Sequence, residues 1–345
     1  MEVKNVVFDL SGDGAPGPDG FGGFFYQHFW DILGSDVILS VQEFFWIGAL
    51  PQNFNSTMLI LITKVPGPSC LRDYRPIALA NFQFKIVTKN LADRLAIITI
   101  RIVSINQWGF IRERNIADCV IIAFEAINLL DRKTHGGNLA LKVDIKKTFD
   151  TLDWNFLIHV LLQFDFGHAL CLWITAILNL VRLSILVNGT TTGFFPCTQG
   201  VLQGDPLLPL LFCLAEEVLS RALTIEQENG WLVPMQYCRD CDIPTHVLYG
   251  DDILIFCKGS KTNVRRLLPI FTSYSEASRQ LINASKSRFF TSSMKQSRAS
   301  SLGNLLGFSA GFVPFQYLGF PIFVGKPRCS HFQPIMDRIK VKLAT

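Results

Sequence analysis

Apolar residues recur along this 345-residue chain in helical steps in some stretches and in strict alternation in others. Phe25, Phe29, Leu33, Val37, Val41 and Phe44 stand three or four residues apart, the spacing that lines one face of a helix, and that face is expected to be core. A second helix is expected from Phe84 to about Arg101, with Val87, Leu91, Leu95 and Ile98 on one side and Lys85, Lys89 and Arg94 elsewhere. A third runs from about Ala117 to Leu130, and the polar, glycine-bearing run 131–138 that follows marks a subdomain boundary. Beyond it Leu139, Leu141, Val143 and Ile145 alternate with Ala140, Lys142 and Asp144, the period-two pattern of a half-buried strand. That alternation turns Asp144 away from the core.

Two helices, over 153–164 and 168–180, precede a hairpin in which SILV and GFFP flank an Asn188-Gly189 turn. Pro206 suits the first turn of a helix reaching about Ile225. Further on come a strand around 232–237, a tight hairpin at 246–257, a helix from about Thr262 to Leu281 and a serine-rich loop at 291–301. The early run GDGAPGPDG reads as a structural turn, since it lacks the Lys-Ser/Thr ending of a phosphate-cradling loop.

Composition narrows the class. With 49% hydrophobic residues, 17% charged and 29 Phe, the chain is neither disordered, collagenous nor coiled coil. Its length suits two or three subdomains or one large domain. The longest apolar run, Ala169 to Val181, falls short of the roughly 20 residues that cross a bilayer, so no membrane partner is expected. The N-terminus lacks the basic start and apolar stretch of a signal peptide, and the nine Cys are expected to be reduced thiols of an intracellular protein.

The net charge of +4 conceals a pattern. Residues 1–70 hold 2 basic and 7 acidic side chains, 71–135 hold 10 and 6, 136–257 hold 6 and 13, and 258–345 hold 14 and 2. A carboxylate-rich middle between basic flanks suits a polyanion, because Lys and Arg neutralise phosphates and release counterions. Scattered basic residues are also ordinary solvated surface, so charge alone leaves both readings open.

The stretch HVLYGDDILIFC, residues 246–257, sets Gly250, Asp251 and Asp252 between two short apolar strands. Adjacent carboxylates at such a tip repel, and a cation shared with another acid relieves the repulsion; a plain Gly-Asp turn is the alternative. Asp144 brings a third carboxylate from another part of the chain, and Mg²⁺ favours a few carboxylates plus substrate phosphates. Two Mg²⁺ ions about 3.5–4 Å apart would serve an in-line displacement at a primer 3′-hydroxyl, which implies nucleotidyl transfer. By contrast, the CRDC pair Cys238 and Cys241 lacks a second ligand pair for zinc, and no HExxH occurs.

The blocks LKVDIKKTFDTLDW, NGTTTGFFPCTQGVLQGDPLLPLLF and HVLYGDDILIF resemble the palm motifs of reverse transcriptases, specifically those of LINE-type non-LTR retrotransposons of plants. Upstream, APGPDGF, LITKVPGPSCLRDYRPIAL, KIVTKNLADRL and QWGFIRERNIAD are similar to that family's finger motifs; NASKS and FQYLGFPI resemble segments after the catalytic hairpin. The resemblance covers about Gly14 to Gly325. It implies an α+β right-hand polymerase fold with an antiparallel palm sheet: an N-terminal extension and fingers over 1–135, a palm with an inserted helix segment over 136–330, and the start of a truncated thumb or linker over 331–345.

The same resemblance assigns roles. Asp144 and Asp251 are the implied principal ligands of two Mg²⁺ ions, for which Mn²⁺ substitutes, with Asp252 supporting and the Ile145 carbonyl a further candidate. Phe149 stands where the family carries an aromatic ring that crowds the sugar 2′ position; core packing is its plain alternative. Gln203 and Gly204 match the motif beside template and incoming nucleotide, or form a helix-entry turn. Lys64, Arg72 and above all Arg75 are candidates for triphosphate contact, and Lys286, Arg288, Lys326 and Arg328 for the primer-template backbone. The partners implied are an RNA template, a DNA primer and dNTPs.

Several positions depart from the family pattern: Thr148 for Ala, Gln199 and Leu202 for basic residues, Leu208 for Ser and Glu113 for Gly. The expected function is RNA-directed DNA synthesis by a fragment once joined to endonuclease and C-terminal domains. The rival is a catalytically inactive nucleic-acid-binding remnant, and an RNA-dependent RNA polymerase is a third reading against which Phe149 argues.

Overall fold

The structure, a computed structural model, describes every residue except 53, 203, 236–242, 293 and 345, and the side chains at 72 and 344. The chain forms two compact units, each assembled from two stretches: Met1–Ile102 with Thr148–Ala215, and Val103–Lys147 with Glu216–Thr345.

The first unit opens with helices α1 (Glu2–Asp9), α2 (Gly23–His28) and α3 (Trp30–Ile47), then strands β1 (Ser56–Thr63) and β2 (Tyr74–Ala80) and helix α4 (Phe82–Ile102). The second unit takes α5 (Ile116–Asn128) and β3 (Asn138–Val143). The chain returns to the first for α6 (Thr148–Thr151), α7 (Trp154–Gln163), α8 (His168–Asn179), β4 (Arg182–Val187) and β5 (Thr190–Pro196). It crosses for the last time within α9 (Leu208–Glu228). The second unit then finishes with β6 (His246–Tyr249), β7 (Asp252–Lys258), α10 (Lys261–Ser278), β8 (Arg288–Phe290) and α11 (Gln296–Leu306). Last come β9 (Ser309–Ala310), β10 (Phe315–Tyr317), β11 (Phe320–Ile322) and α12 (Cys329–Ala344).

The first unit's sheet runs β2-β1-β4-β5. β1 pairs antiparallel with β2 and parallel with β4, and β4 folds back on β5 through Asn188 and Gly189, whose φ values of 49° and 79° suit a two-residue hairpin turn. The single stripe expected from Phe25 to Phe44 is interrupted: Phe29 separates α2 from α3 and is exposed. Tyr26, Trp30, Gly34, Val37, Val41 and Phe44 form the buried face instead. Gly34 permits it, because a Cβ there would lie 2.8 Å from the Trp30 ring. In α4 the expected core positions Val87, Leu91 and Leu95 are buried, whereas Ile98 is exposed.

The second unit's sheet runs β6-β7-β3-β8-β9. β3 is central, antiparallel to both β7 and β8, and every residue in it but Lys142 is buried. The expected half-buried strand is therefore a core strand, and the polar alternation comes down to Lys142 and the exit at Asp144. One core cluster joins Cys119, Ala123, Ala126 and Ile127 of α5 to Val247, Leu254, Phe256 and Phe290 of the sheet and to Tyr317 and Ile322 of the β10–β11 hairpin.

Other expectations shift in detail. Pro206 precedes α9 rather than opening its first turn; Asp205 Oδ1 accepts from Leu207 N at 2.8 Å there, and the helix runs on to Glu228. Half of the expected serine-rich loop is α11, since the run from Gln296 on carries enough apolar spacing to bury Ala299, Leu302 and Leu306. Of the strand expected at 232–237, Pro234 bridges Cys257; residues 236 and 237, like the CRDC cysteines, lie outside the described residues. Among the described residues no helix is long and apolar enough to cross a membrane.

Candidate active site

β3 delivers Asp144, and the β6–β7 hairpin delivers Asp251 and Asp252. Val143 pairs with Ile253, so the register carried one step further sets Asp144 against Asp252. Tyr249 pairs with Asp252 across the hairpin, which leaves Gly250 and Asp251 as a two-residue turn. Gly250 has φ of 57°, the left-handed region that favours glycine at the first position of such a turn.

The electrostatics follow from that register. Burial raises the Asp252 carboxyl above the ordinary carboxylate range, Lys142 opposes the rise, and the charge of Asp144 adds to it. Lys142 Nζ lies 3.9 Å from Asp252 Oδ1, donates to the Gln316 carbonyl at 3.1 Å and sits 5.8 Å from the Tyr317 ring centre. Asp144 is held differently: Asn283 Nδ2 donates to its Oδ2 at 2.9 Å, Asn283 N donates to its carbonyl at 2.8 Å, and its own N–H donates to Ser287 Oγ at 3.1 Å.

Asp144 and Asp252 are thus brought together, with Asp251 on the adjoining turn. Among the described residues no three His, Cys, Asp or Glu side chains form a ready-made metal cluster. The donor chemistry fits Mg²⁺: two hard carboxylate oxygen donors of like charge, of the kind that binds the ion together with substrate phosphates rather than in a protein cage. Ile145 is buried, and its backbone bridges Ile282.

Glu216 of α9 went unremarked in the sequence. It is fully buried, and burial followed by the charge of Asp251 pushes its carboxyl well above the usual range, opposed by a hydrogen bond from Gln107 and reinforced by Asp252. Lys142, Asn283 and Gln107 were missed as well. Asn283 lies in the NASKS block and Gln107 in QWGF, so the block positions alone held the signal.

The candidates Phe149, Gln203, Gly204, Lys64, Arg72 and Arg75 belong to the first unit. Phe149 is half-buried, its ring 4.8 Å from Phe212 at 43°, which is the packing role that stood as its alternative. Its carbonyl accepts from Val201 N, and Gly200 N donates to the Leu152 carbonyl at 2.8 Å while Trp154 Nε1 donates to Gly200 O at 2.7 Å. The loop after β5 is thereby fastened to the Phe149–Trp154 turn. A cavity of about 170 Å³ beside it is lined by Leu59, Ala78, Leu183 and Val201 among others. Gly204 follows with φ of 114°, and a Cβ there would stand 3.0 Å from the Ala78 carbonyl; Gln203 lies outside the described residues. Asp205, a further buried acid that the sequence did not flag, is pushed up to about 6, mainly by burial, and its Oδ2 has no hydrogen-bond partner.

Arg75 is exposed on β2, opposite Ile62, and Lys64 is exposed at the end of β1, its N–H donating to the Asp73 carbonyl at 2.7 Å. The Arg72 side chain lies outside the described residues. In the second unit Lys286, Lys326 and Arg328 are exposed, whereas Arg288 donates to the carbonyls of Ser285 and Ser287 and so serves its own loop. Of the departures from the family pattern, Thr148 and Leu208 are buried. Glu113 is the costly one, with φ of 66° where glycine is unstrained.

The central strand of the second unit's sheet, antiparallel to both its neighbours, thus ends at an aspartate beside an acidic hairpin turn. Residues 62–322 match the family described as reverse transcriptase (RNA-dependent DNA polymerase), and the chain belongs to that family. It is 28% identical over 293 residues to the transposon TX1 uncharacterized 149 kDa protein of Xenopus laevis, covering 83% of this chain and 21% of that protein. It is 24% identical over 246 residues to a retrovirus-related Pol polyprotein from type-1 retrotransposable element R2 of Nasonia vitripennis, covering 67% of this chain and 23% of the polyprotein. An uncharacterized mitochondrial protein of Arabidopsis thaliana matches at 37% over 70 residues, 20% of this chain and 57% of that protein. The chain is accordingly a reverse transcriptase domain, and it spans about a fifth to a quarter of the length of the TX1 and R2 relatives. Among solved structures, apo telomerase from Candida tropicalis truncated from its C-terminal domain shares the fold, with a TM-score of 0.50 and 13% identity over 78% of this chain and 56% of that one.

Proposed function

We propose that this chain extends a primer 3′ end with deoxynucleotides on an RNA template, as the polymerase module of a plant LINE-type retrotransposon polyprotein. The observation that carries the reading is Asp144 set against Asp252 beside the Gly250-Asp251 turn, in a chain of the reverse transcriptase family. The Arabidopsis match supports the plant assignment. The palm reading attaches to the sheet of β3, β6 and β7 and the finger reading to β1 and β2; the segment 331–345 is read as the start of a thumb or as a linker.

Asp144, Asp252 and Asp251 would hold the divalent ions. When bound, those ions supply charge neutralisation for the primer hydroxyl and the departing pyrophosphate. The protein's own part is orientation: Asn283 keeps Asp144 in one rotamer, and Lys142 favours the ionised form of Asp252. Arg75 and Lys64 would contact triphosphate oxygens, and Phe149 would crowd a ribose 2′-hydroxyl. The exposed Lys286, Lys326 and Arg328 suit the phosphate backbone of a duplex.

Primer extension on an RNA template with Mg²⁺ or Mn²⁺ tests this, with Asp251→Asn as control. Incorporation of dNTPs well above rNTPs, lost in the control, is expected. Primer-template binding without incorporation would indicate an inactive remnant, and equal use of rNTPs and dNTPs an RNA polymerase.

A further inference from the structure

We infer that Gln107, backed by Glu216, is a positioning residue that sets the Gly250-Asp251 turn for nucleotidyl transfer; the inference rests on the polymerase reading above. The segment Asn106–Gly109 lies along β6 like an added strand. Leu248 N donates to the Asn106 carbonyl at 2.8 Å and Trp108 N donates to the Leu248 carbonyl at 2.7 Å, a parallel bridge centred on Gln107 and Leu248. Gln107 is 1% exposed. Its Oε1 accepts from two backbone amides, Gly109 N at 3.0 Å and Gly250 N at 3.2 Å, and its Nε2 donates to Glu216 Oε2 at 3.0 Å.

A carboxamide suits this post because it accepts two N–H groups at one end and donates to a carboxyl group at the other. One of those amides belongs to the turn that carries Asp251. The contact is close: a Cβ on Gly109 would lie 2.5 Å from Gly250 N, so the segment is pressed against the turn backbone. The segment does not need the Gln107 side chain to stay in place. The Arg114 guanidinium donates to the carbonyls of Val103, Ser104 and Gln107, and Ser104 Oγ donates to Glu217 Oε2 at 3.0 Å. What the Gln107 amide adds is a tether from the helix residue Glu216 to the first amide of the acidic turn. Small misplacements of acid groups at a reacting centre are costly to rate, on the order of 100-fold per ångström.

The test compares wild-type chain with Gln107→Met, which keeps length and loses both hydrogen-bonding ends, and with the swapped pair Gln107→Glu/Glu216→Gln, which restores donor and acceptor in reverse. Gln107→Met is expected to lower kcat for single-nucleotide addition roughly 10- to 100-fold, with KM for dNTP changed less than about threefold. The swapped pair should regain most of the lost kcat. Hydrogen–deuterium exchange supplies a readout independent of activity: the peptide over 249–253 should exchange faster in Gln107→Met, with 138–143 still protected. Unchanged exchange over 249–253, or a kcat equal to wild type, overturns the inference. So does a kcat that stays low in the swapped pair while its melting temperature matches wild type. A wild-type chain that incorporates no dNTP removes the polymerase reading and this role together, an outcome distinct from the others.

Discussion

Asn283 grips Asp144 at two points, its backbone N–H on the Asp144 carbonyl at 2.8 Å and its side-chain amide on Oδ2 at 2.9 Å. The residue is 139 positions away in sequence, yet it fixes both the end of β3 and the direction of the carboxylate that leaves it.

Asn283→Ala should therefore cost both rate and stability. The backbone contact survives, and only a hydrogen bond to a charged group, about 1.5–3 kcal/mol, is lost. Single-turnover dNTP addition is expected to slow by roughly 10-fold or more, with urea unfolding shifted by no more than about 1.5–3 kcal/mol. Equal slowing in Asn283→Asp, which cannot donate to a carboxylate, would support the assignment; wild-type rates in both would remove it.

Lys142→Met should move the acid limb of the pH–rate profile. The folded Asp252 carboxyl is already raised by burial and by Asp144, and Lys142 alone among its named neighbours opposes the rise. Removing that cation raises it further, so a larger fraction is protonated at a given pH and the limb shifts to higher pH. A profile that falls uniformly, with no shift of the limb, would mean that Asp252 does not need to be ionised.

Asp205 makes a stability prediction of opposite sense. Its folded carboxyl titrates at about 6, against 3.8 when unfolded, so the folded state binds the extra proton between those values. Its contribution is complete below about 4 and is lost as pH rises through 6, at a cost of up to about 3 kcal/mol. Asp205→Asn keeps the acceptor for Leu207 N and removes the buried charge. It should raise the melting temperature at pH 7.5 and leave it nearly unchanged at pH 4, as calorimetry at the two values would read.

Much of this site was legible in the chain. Gly250-Asp251-Asp252 between apolar runs gave the hairpin and its turn, and the strand before Asp144 gave the third acid; what periodicity could not show was that β3 is central, because its hydrogen-bonded partners on both edges, β7 and β8, lie far along the sequence. The break at Phe29 was hidden for a similar reason: apolar side chains continue across it at helical spacing, and only the backbone turns. Asn283, Gln107 and Glu216 escaped because an uncharged amide or a single acid on an apolar helix has no signature of its own until its partners are known. Nor does any run of residues announce that each compact unit is built from two separated stretches, since the crossings fall at ordinary element ends and inside the single helix α9.

The central claim is that Asp144 and Asp252 hold a divalent ion in common. Electron paramagnetic resonance titration of Mn²⁺ into the chain bound to primer-template and a non-reacting dNTP analogue reads it without turnover. The account predicts a class of bound Mn²⁺ in the wild-type chain that disappears in both Asp144→Asn and Asp252→Asn; Mn²⁺ binding by both variants equal to wild type would contradict it.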